Sequence, residues 1–119
     1  MDHVYIPVKL GDPLKRRIRE VKMLMDTGAT YPCIPKELAD ALGLRLEFKT
    51  KVTLTDGREV GAWYATAYIE IMERGDLIPV RIFEVEEPLL GVFALEALGL
   101  AVDPATGEVK PTRGFIARA

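Results

Sequence analysis

Met23-Leu24-Met25-Asp26-Thr27-Gly28-Ala29-Thr30 decides how this chain reads. Upstream, over residues 17–25, polar and apolar side chains roughly alternate. Val21, Met23 and Met25 share one face with Arg19, and Ile18 and Leu24 fall on the other. A period of two predicts a strand, and that strand delivers an acid, Asp26, at its end. Gly28 permits a sharp turn that a side chain would resist. It also lets backbone lie close beside the carboxylate, with an amide free to donate to it. Thr27 offers a short hydroxyl able to lock the loop, and Ala29 keeps the next position small. A plainer reading of the same residues is a turn in which Asp26 caps and Gly28 takes positive φ.

Working outward, Val4-Tyr5-Ile6-Pro7-Val8-Lys9 alternates as a first strand and stops at Gly11-Asp12-Pro13. Residues 35–43 read as a short helix, with Pro35 in the first turn, Leu38 and Leu42 on one face, and Gly43 at the end. Residues 52–60 form a hairpin signal with Asp56-Gly57 at the turn. Two further alternating strands are expected over 65–71 and 78–85. Leu89-Leu90-Gly91 then leads to a second helix over 93–98, ended by Gly99. Asp103-Pro104-Ala105-Thr106-Gly107 is a tight turn that places a hairpin near the C-terminus. Leu38-Ala39-Asp40-Ala41-Leu42-Gly43-Leu44 echoes Ala94-Leu95-Glu96-Ala97-Leu98-Gly99-Leu100, which fits two similar strand-turn-helix halves.

Composition narrows the chemistry. The 119 residues suffice for one domain, 1–119, with a modest core. The formal net charge of -2 gives no basic field, so neither nucleic acid nor an anionic membrane is expected as a partner. Lys15-Arg16-Arg17 with Arg19 reads as a solvated cluster. No secretory signal or membrane-spanning run is visible, so a soluble cytoplasmic protein is expected. One Cys, Cys33, excludes an internal disulfide and reads as a packed thiol. The chain has no Ser, Asn or Gln, which excludes a serine nucleophile and an Asn- or Gln-built oxyanion hole. One His and one Cys cannot close a zinc site; no metal or other cofactor is expected. The lack of Asn and Gln beside abundant Glu, Arg and Lys points to a thermostable chain, which a melting temperature in the ordinary mesophile range would contradict.

On these residues the chain resembles the retropepsin-like aspartic proteases, the small homodimeric relatives of pepsin. The matching segments are Leu24-Met25-Asp26-Thr27-Gly28-Ala29-Thr30, the Asp56-Gly57 hairpin, Leu89-Leu90-Gly91, and Leu95-Glu96-Ala97-Leu98-Gly99-Leu100, with Val102-Asp103-Pro104 and Gly107 in support. The resemblance implies a mainly β, closed acid-protease barrel with one or two short helices and one Asp-Thr-Gly per subunit. It implies a homodimer acting on a peptide or protein substrate, with Asp26 of each chain as the catalytic pair. Two carboxylates about 3 Å apart cannot both stay ionised, so they share one proton. The ionised member takes a proton from water while the other hydrogen-bonds the substrate carbonyl. Thr27, Gly28 and Ala29 would support the site, with Thr27 making a contact across the dimer. Thr55, Asp56, Gly57 and Arg58 would form the tip of a flap over the substrate, and residues 107–116 a strand of the dimer sheet.

The sequence also departs from the family's pattern. Thr30 and Tyr31 stand where retroviral members carry two acids that hold the substrate main chain. The flap tip is charged rather than glycine-rich, and Val92-Phe93 follow Leu90-Gly91 where many relatives carry a polar residue. Trp63, Tyr64, Tyr31 and Phe83 are candidates for lining pockets or for packing the core. The alternatives are a non-catalytic dimerisation or binding module with the same fold, and a monomeric β-barrel binder.

Overall fold

The computed structural model describes residues 3–112. The elements are β1 (Tyr5–Gly11), β2 (Ile18–Leu24), β3 (Cys33–Ile34), α1 (Lys36–Leu42), β4 (Phe48–Thr53), β5 (Glu59–Ile71), β6 (Arg74–Ile82), α2 (Gly91–Ala97), β7 (Leu100–Val102) and β8 (Val109–Pro111). Alternation explains the first strand: Ile6, Val8 and Leu10 are buried while Tyr5, Pro7 and Lys9 face outward. β1 therefore sits between β2 and β5 in a six-stranded sheet of order β2-β1-β5-β6-β3, with β4 paired to β5. Ala65, Ala67, Ile69 and Ile71 of β5 and Ile78, Val80 and Ile82 of β6 complete the apolar face. The turn from β1 to β2 is held by Asp12, 3% exposed, which accepts the Arg17 amide at 2.7 Å and Arg16 Nε at 3.2 Å.

Three expectations change. The sheet is not closed into a barrel: among the described residues β2 and β3 do not pair, and Leu89 stands between them with single-residue bridges to Leu24 and Cys33. A bridge of one residue cannot supply the ladder that closure needs. The hairpin strand and the strand expected over 65–71 are one continuous β5, because Gly61 does not interrupt the ladder to β4. β6 starts at Arg74 rather than 78, because Met72-Glu73 make a two-residue turn with φ of 53° and 64°. Of the stretch 107–116 expected as a dimer strand, Val109–Pro111 form β8 and pair with β7 of the same chain; 113–116 lie outside the described residues.

The internal echo is structural. Leu38, Ala39, Leu42 and Leu44 are buried in the first copy, and Ala94, Leu95, Leu98 and Leu100 at the matching positions of the second. Gly43 and Gly99 follow their helices with φ of 69° and 68°, the left-handed exit that ends a helix. Each copy therefore packs a two-turn helix onto the core and then sends an apolar residue back into it. No helix is long and apolar enough to cross a membrane among the described residues.

Candidate active site

The segment after β2 leaves the sheet and is clamped from below. Met25 donates its amide to Val4 O at 2.8 Å. Leu24 donates to Pro88 O at 2.9 Å, and Leu90 donates to Leu24 O at 2.8 Å. Cys33 and Leu89 exchange two amide bonds, each 2.9 Å. The apolar segment 88–90 thus lies between the strand that enters the Asp26 loop and the strand that leaves it. At the start of α2, Val92 donates to Ala29 O at 3.1 Å and Phe93 to Thr30 O at 3.0 Å. Gly91 makes this approach possible. A Cβ there would lie 2.9 Å from Thr30 O, 3.0 Å from Ala29 O and 3.0 Å from Tyr31 C, and its φ is +73°.

On this support Asp26 is half-buried. Its Oδ1 accepts the Gly28 amide at 2.9 Å, and its carbonyl accepts the Ala29 amide at 3.0 Å. Gly28 does not take positive φ. Its need is space, since a Cβ would approach Asp26 Oδ1 to 3.2 Å. Oδ2 makes no hydrogen bond to a described residue, so one oxygen is fixed and the other is available. The exposed Thr27 hydroxyl likewise has no partner among the described residues.

A cleft of about 900 Å³ opens on one side of Asp26. Asp26, Gly28 and Ala29 line it together with residues 50–56 and Arg58 of the β4–β5 hairpin. The hairpin tip is ordered by its own charges. Asp56 accepts the Arg58 amide at 2.9 Å and Arg58 Nε at 2.7 Å, and these bonds, the amide first, hold its carboxyl below the usual carboxylate range. Of the expected tip residues, Thr55, Asp56 and Arg58 line the cleft, and Gly57 stands outside it at the turn. Thr27 faces the other way. With Asp26 it borders a second groove of about 930 Å³, whose apolar wall includes Met25, Val92, Leu95, Leu100 and Val102.

Among the candidate aromatics, Tyr31 and Phe83 line the cleft with Asp26, whereas Trp63 and Tyr64 do not. Trp63 packs against the core, and Tyr64 stacks on Phe48 at 4.5 Å. Cys33 is buried as expected, and burial pushes its thiol up to about 11, which suits packing rather than nucleophilic attack. Sequence reasoning missed Arg81. Its guanidinium lies 4.3 Å from the Tyr31 ring centre and 4.9 Å from that of Tyr64, and it lines the cleft. The available signal was alternation, since Arg81 falls on the face opposite the buried Val80 and Ile82.

Residues 17–97 match the protein family described as "gag-polyprotein putative aspartyl protease". No curated protein matches by sequence. Among solved structures, the protease of EIAV complexed with the inhibitor HBY-793 superposes with a TM-score of 0.65 at 19% identity, covering 82% of this chain and 89% of that one. A retropepsin-like aspartic protease from Rickettsia conorii gives 0.60 at 24% identity, covering 85% and 76%. At these identities the likeness establishes a retropepsin-like fold, mainly β with two short helices.

Proposed function

The chain belongs to the gag-polyprotein aspartyl protease family, and from that premise we propose that it is a homodimeric aspartic endopeptidase whose catalytic residue is Asp26. The observation that carries this reading is the position of Asp26. It lies where a cleft covered by a hairpin meets an apolar groove, with one carboxylate oxygen fixed by the Gly28 amide and the other available.

One carboxylate does not suffice for the chemistry. A lone acid can take a proton from water or give one to the leaving nitrogen, but peptide hydrolysis needs both at once. A second Asp26, brought by a two-fold axis, supplies the missing group. The pair then holds one proton. Its ionised member draws a proton from a water that attacks the peptide carbonyl, and its protonated member donates to that carbonyl oxygen. Breakdown of the tetrahedral intermediate returns a proton to the amine. In this arrangement the groove beside Thr27 receives the second copy. The Thr27 hydroxyl bonds across the junction, and Gly28 and Ala29 keep the site close and narrow. Thr55, Asp56, Gly57 and Arg58 act as the tip of a flap, which the Asp56–Arg58 ion pair stiffens. The unit of activity is a pair of single domains, each residues 1–119, working in the cytoplasm on peptide or protein substrates.

The test is peptide hydrolysis by the wild-type chain and by Asp26→Asn and Asp26→Ala. Loss of general acid–base chemistry predicts a fall of at least about 1000-fold in kcat/KM. A hydroxyl-containing mimic of the tetrahedral intermediate should block the wild-type chain. Hydrolysis that survives Asp26→Ala would sink the proposal and favour the non-catalytic binding module.

A further inference from the structure

Among the described residues the charge of Arg81 has no ion-pair counterpart. Its Nη1 is buried and has no hydrogen-bond partner among the described residues. A buried donor without an acceptor is costly, and in native proteins it is nearly always answered by some group. The guanidinium is positioned rather than loose, since Tyr31 and Tyr64 hold it by cation–π contact. Tyr31 in turn packs on Phe93 at 5.3 Å, and Tyr64 on Phe48 at 4.5 Å. Arg81 and Asp26 line the same cleft. The rest of the guanidinium lines the cleft; such a planar fork takes a carboxylate or a phosphate, and of the two a peptide carries the carboxylate.

We infer that the cleft holds a subsite for a single carboxylate, formed by Arg81 and Tyr31, so that the preferred substrate carries an acidic residue near the scissile bond. This deepens the endopeptidase reading and rests on it. Glu84, Glu86 and Glu87 also line the cleft, beyond the end of β6. None pairs with Arg81, and Glu87 accepts the Tyr5 hydroxyl at 2.9 Å. They make the rim negative and so disfavour acid-rich segments. One acidic side chain held directly by Arg81 therefore fits better than a polyacidic stretch.

The test uses the full chain and a mixture of peptides whose cleavage sites are read by mass spectrometry. Asp and Glu should be enriched at one fixed position beside the cut. A matched pair of quenched fluorescent peptides, Glu or Gln at that position, should then differ by roughly tenfold or more in kcat/KM. Arg81→Leu should bring that ratio to about one, and Arg81→Lys should leave it intermediate. A third peptide with its only carboxylate at a free C-terminus, set against its amide, separates a terminal from a side-chain source. Calorimetric binding of all four peptides to Asp26→Asn gives a readout that needs no turnover. Should no peptide be cleaved while a carboxylate peptide binds tenfold tighter than its neutral twin, the protease reading falls and the subsite stands. Equal cleavage and equal binding of carboxylate and neutral peptides overturns the subsite and leaves the protease reading intact. A ratio unchanged in Arg81→Leu also overturns it. If that variant fails to fold, the wild-type and Arg81→Lys ratios decide.

Discussion

Replacing Gly91 by alanine separates the demands that the Asp26 loop makes on its support. The new Cβ would meet three backbone atoms of residues 29–31 at 2.9–3.0 Å, at a φ of +73°. The left-handed conformation costs a residue with a Cβ about 1–2 kcal/mol. Pressing against backbone that cannot rotate away adds about 1–3 kcal/mol. The sum, about 2–5 kcal/mol, lowers the melting temperature by roughly 8–20 °C in a chain of this size. Two other glycines serve as controls. Gly57 has φ +87°, and a Cβ added there would meet nothing within 4 Å, so Gly57→Ala should carry the conformational term alone. Gly61 has neither feature, so Gly61→Ala should be neutral or stabilising by up to about 1 kcal/mol. Thermal unfolding by circular dichroism gives the order Gly61→Ala, Gly57→Ala, Gly91→Ala, from highest melting temperature to lowest. Peptidase activity of Gly91→Ala, measured well below its melting point, should fall by about 100-fold because the clash displaces the loop that aims Asp26. Melting of Gly91→Ala within about 3 °C of Gly57→Ala, at undiminished activity, would refute the close-approach argument.

Two further outcomes follow from the charge and burial of single side chains. The Asp12 carboxyl is held below its ordinary 3.8, chiefly by the Arg17 amide. The unfolded chain then binds more protons in that range, so the contribution is complete above about pH 5 and fades as pH falls through the folded value. Asp12→Asn should therefore lose less melting temperature than wild type between roughly pH 5 and pH 2, and equal slopes would contradict this. Cys33, with its thiol pushed from 9.0 to about 11, should react with iodoacetamide at pH 8 roughly 100-fold more slowly in the folded chain than in urea; equal rates would show an accessible thiolate.

Much of the fold was legible because its signals are local. Alternation located β1 and β2, Asp56-Gly57 marked the β4–β5 hairpin, and glycines closed both helices. The Asp-Thr-Gly run pointed to Asp26 as a candidate acid, and the amide of Gly28 does reach its carboxylate. What escaped is set by contacts distant in sequence or by unusual turn residues. Met72-Glu73 adopt left-handed φ without Asn or Gly, so nothing in composition announced the turn that starts β6. The pair Cys33–Ile34 is too short for a period to register, and it is a strand only because β6 and Leu89 lie beside it. Whether the sheet closes depends on how β2 and β3 meet across Leu89, a question no single segment answers. Gly91 read as the end of an apolar strand before the second helix, and its packing against residues 29–31 needed the tertiary fold. Arg81 was visible as one charge in an alternating strand, but its lack of an ion-pair partner among the described residues was not.

Mixing of chains tests the shared-acid account most directly. Wild-type and Asp26→Asn chains are combined at constant wild-type concentration under conditions that let subunits exchange, and hydrolysis of a quenched peptide is followed. If activity requires two intact acids across a two-fold axis, random pairing leaves about half of the wild-type activity at a 1:1 mixture and about one-tenth at a ninefold excess of Asp26→Asn. Activity that stays constant as Asp26→Asn is added would show that each chain works alone, and would contradict the account at its centre.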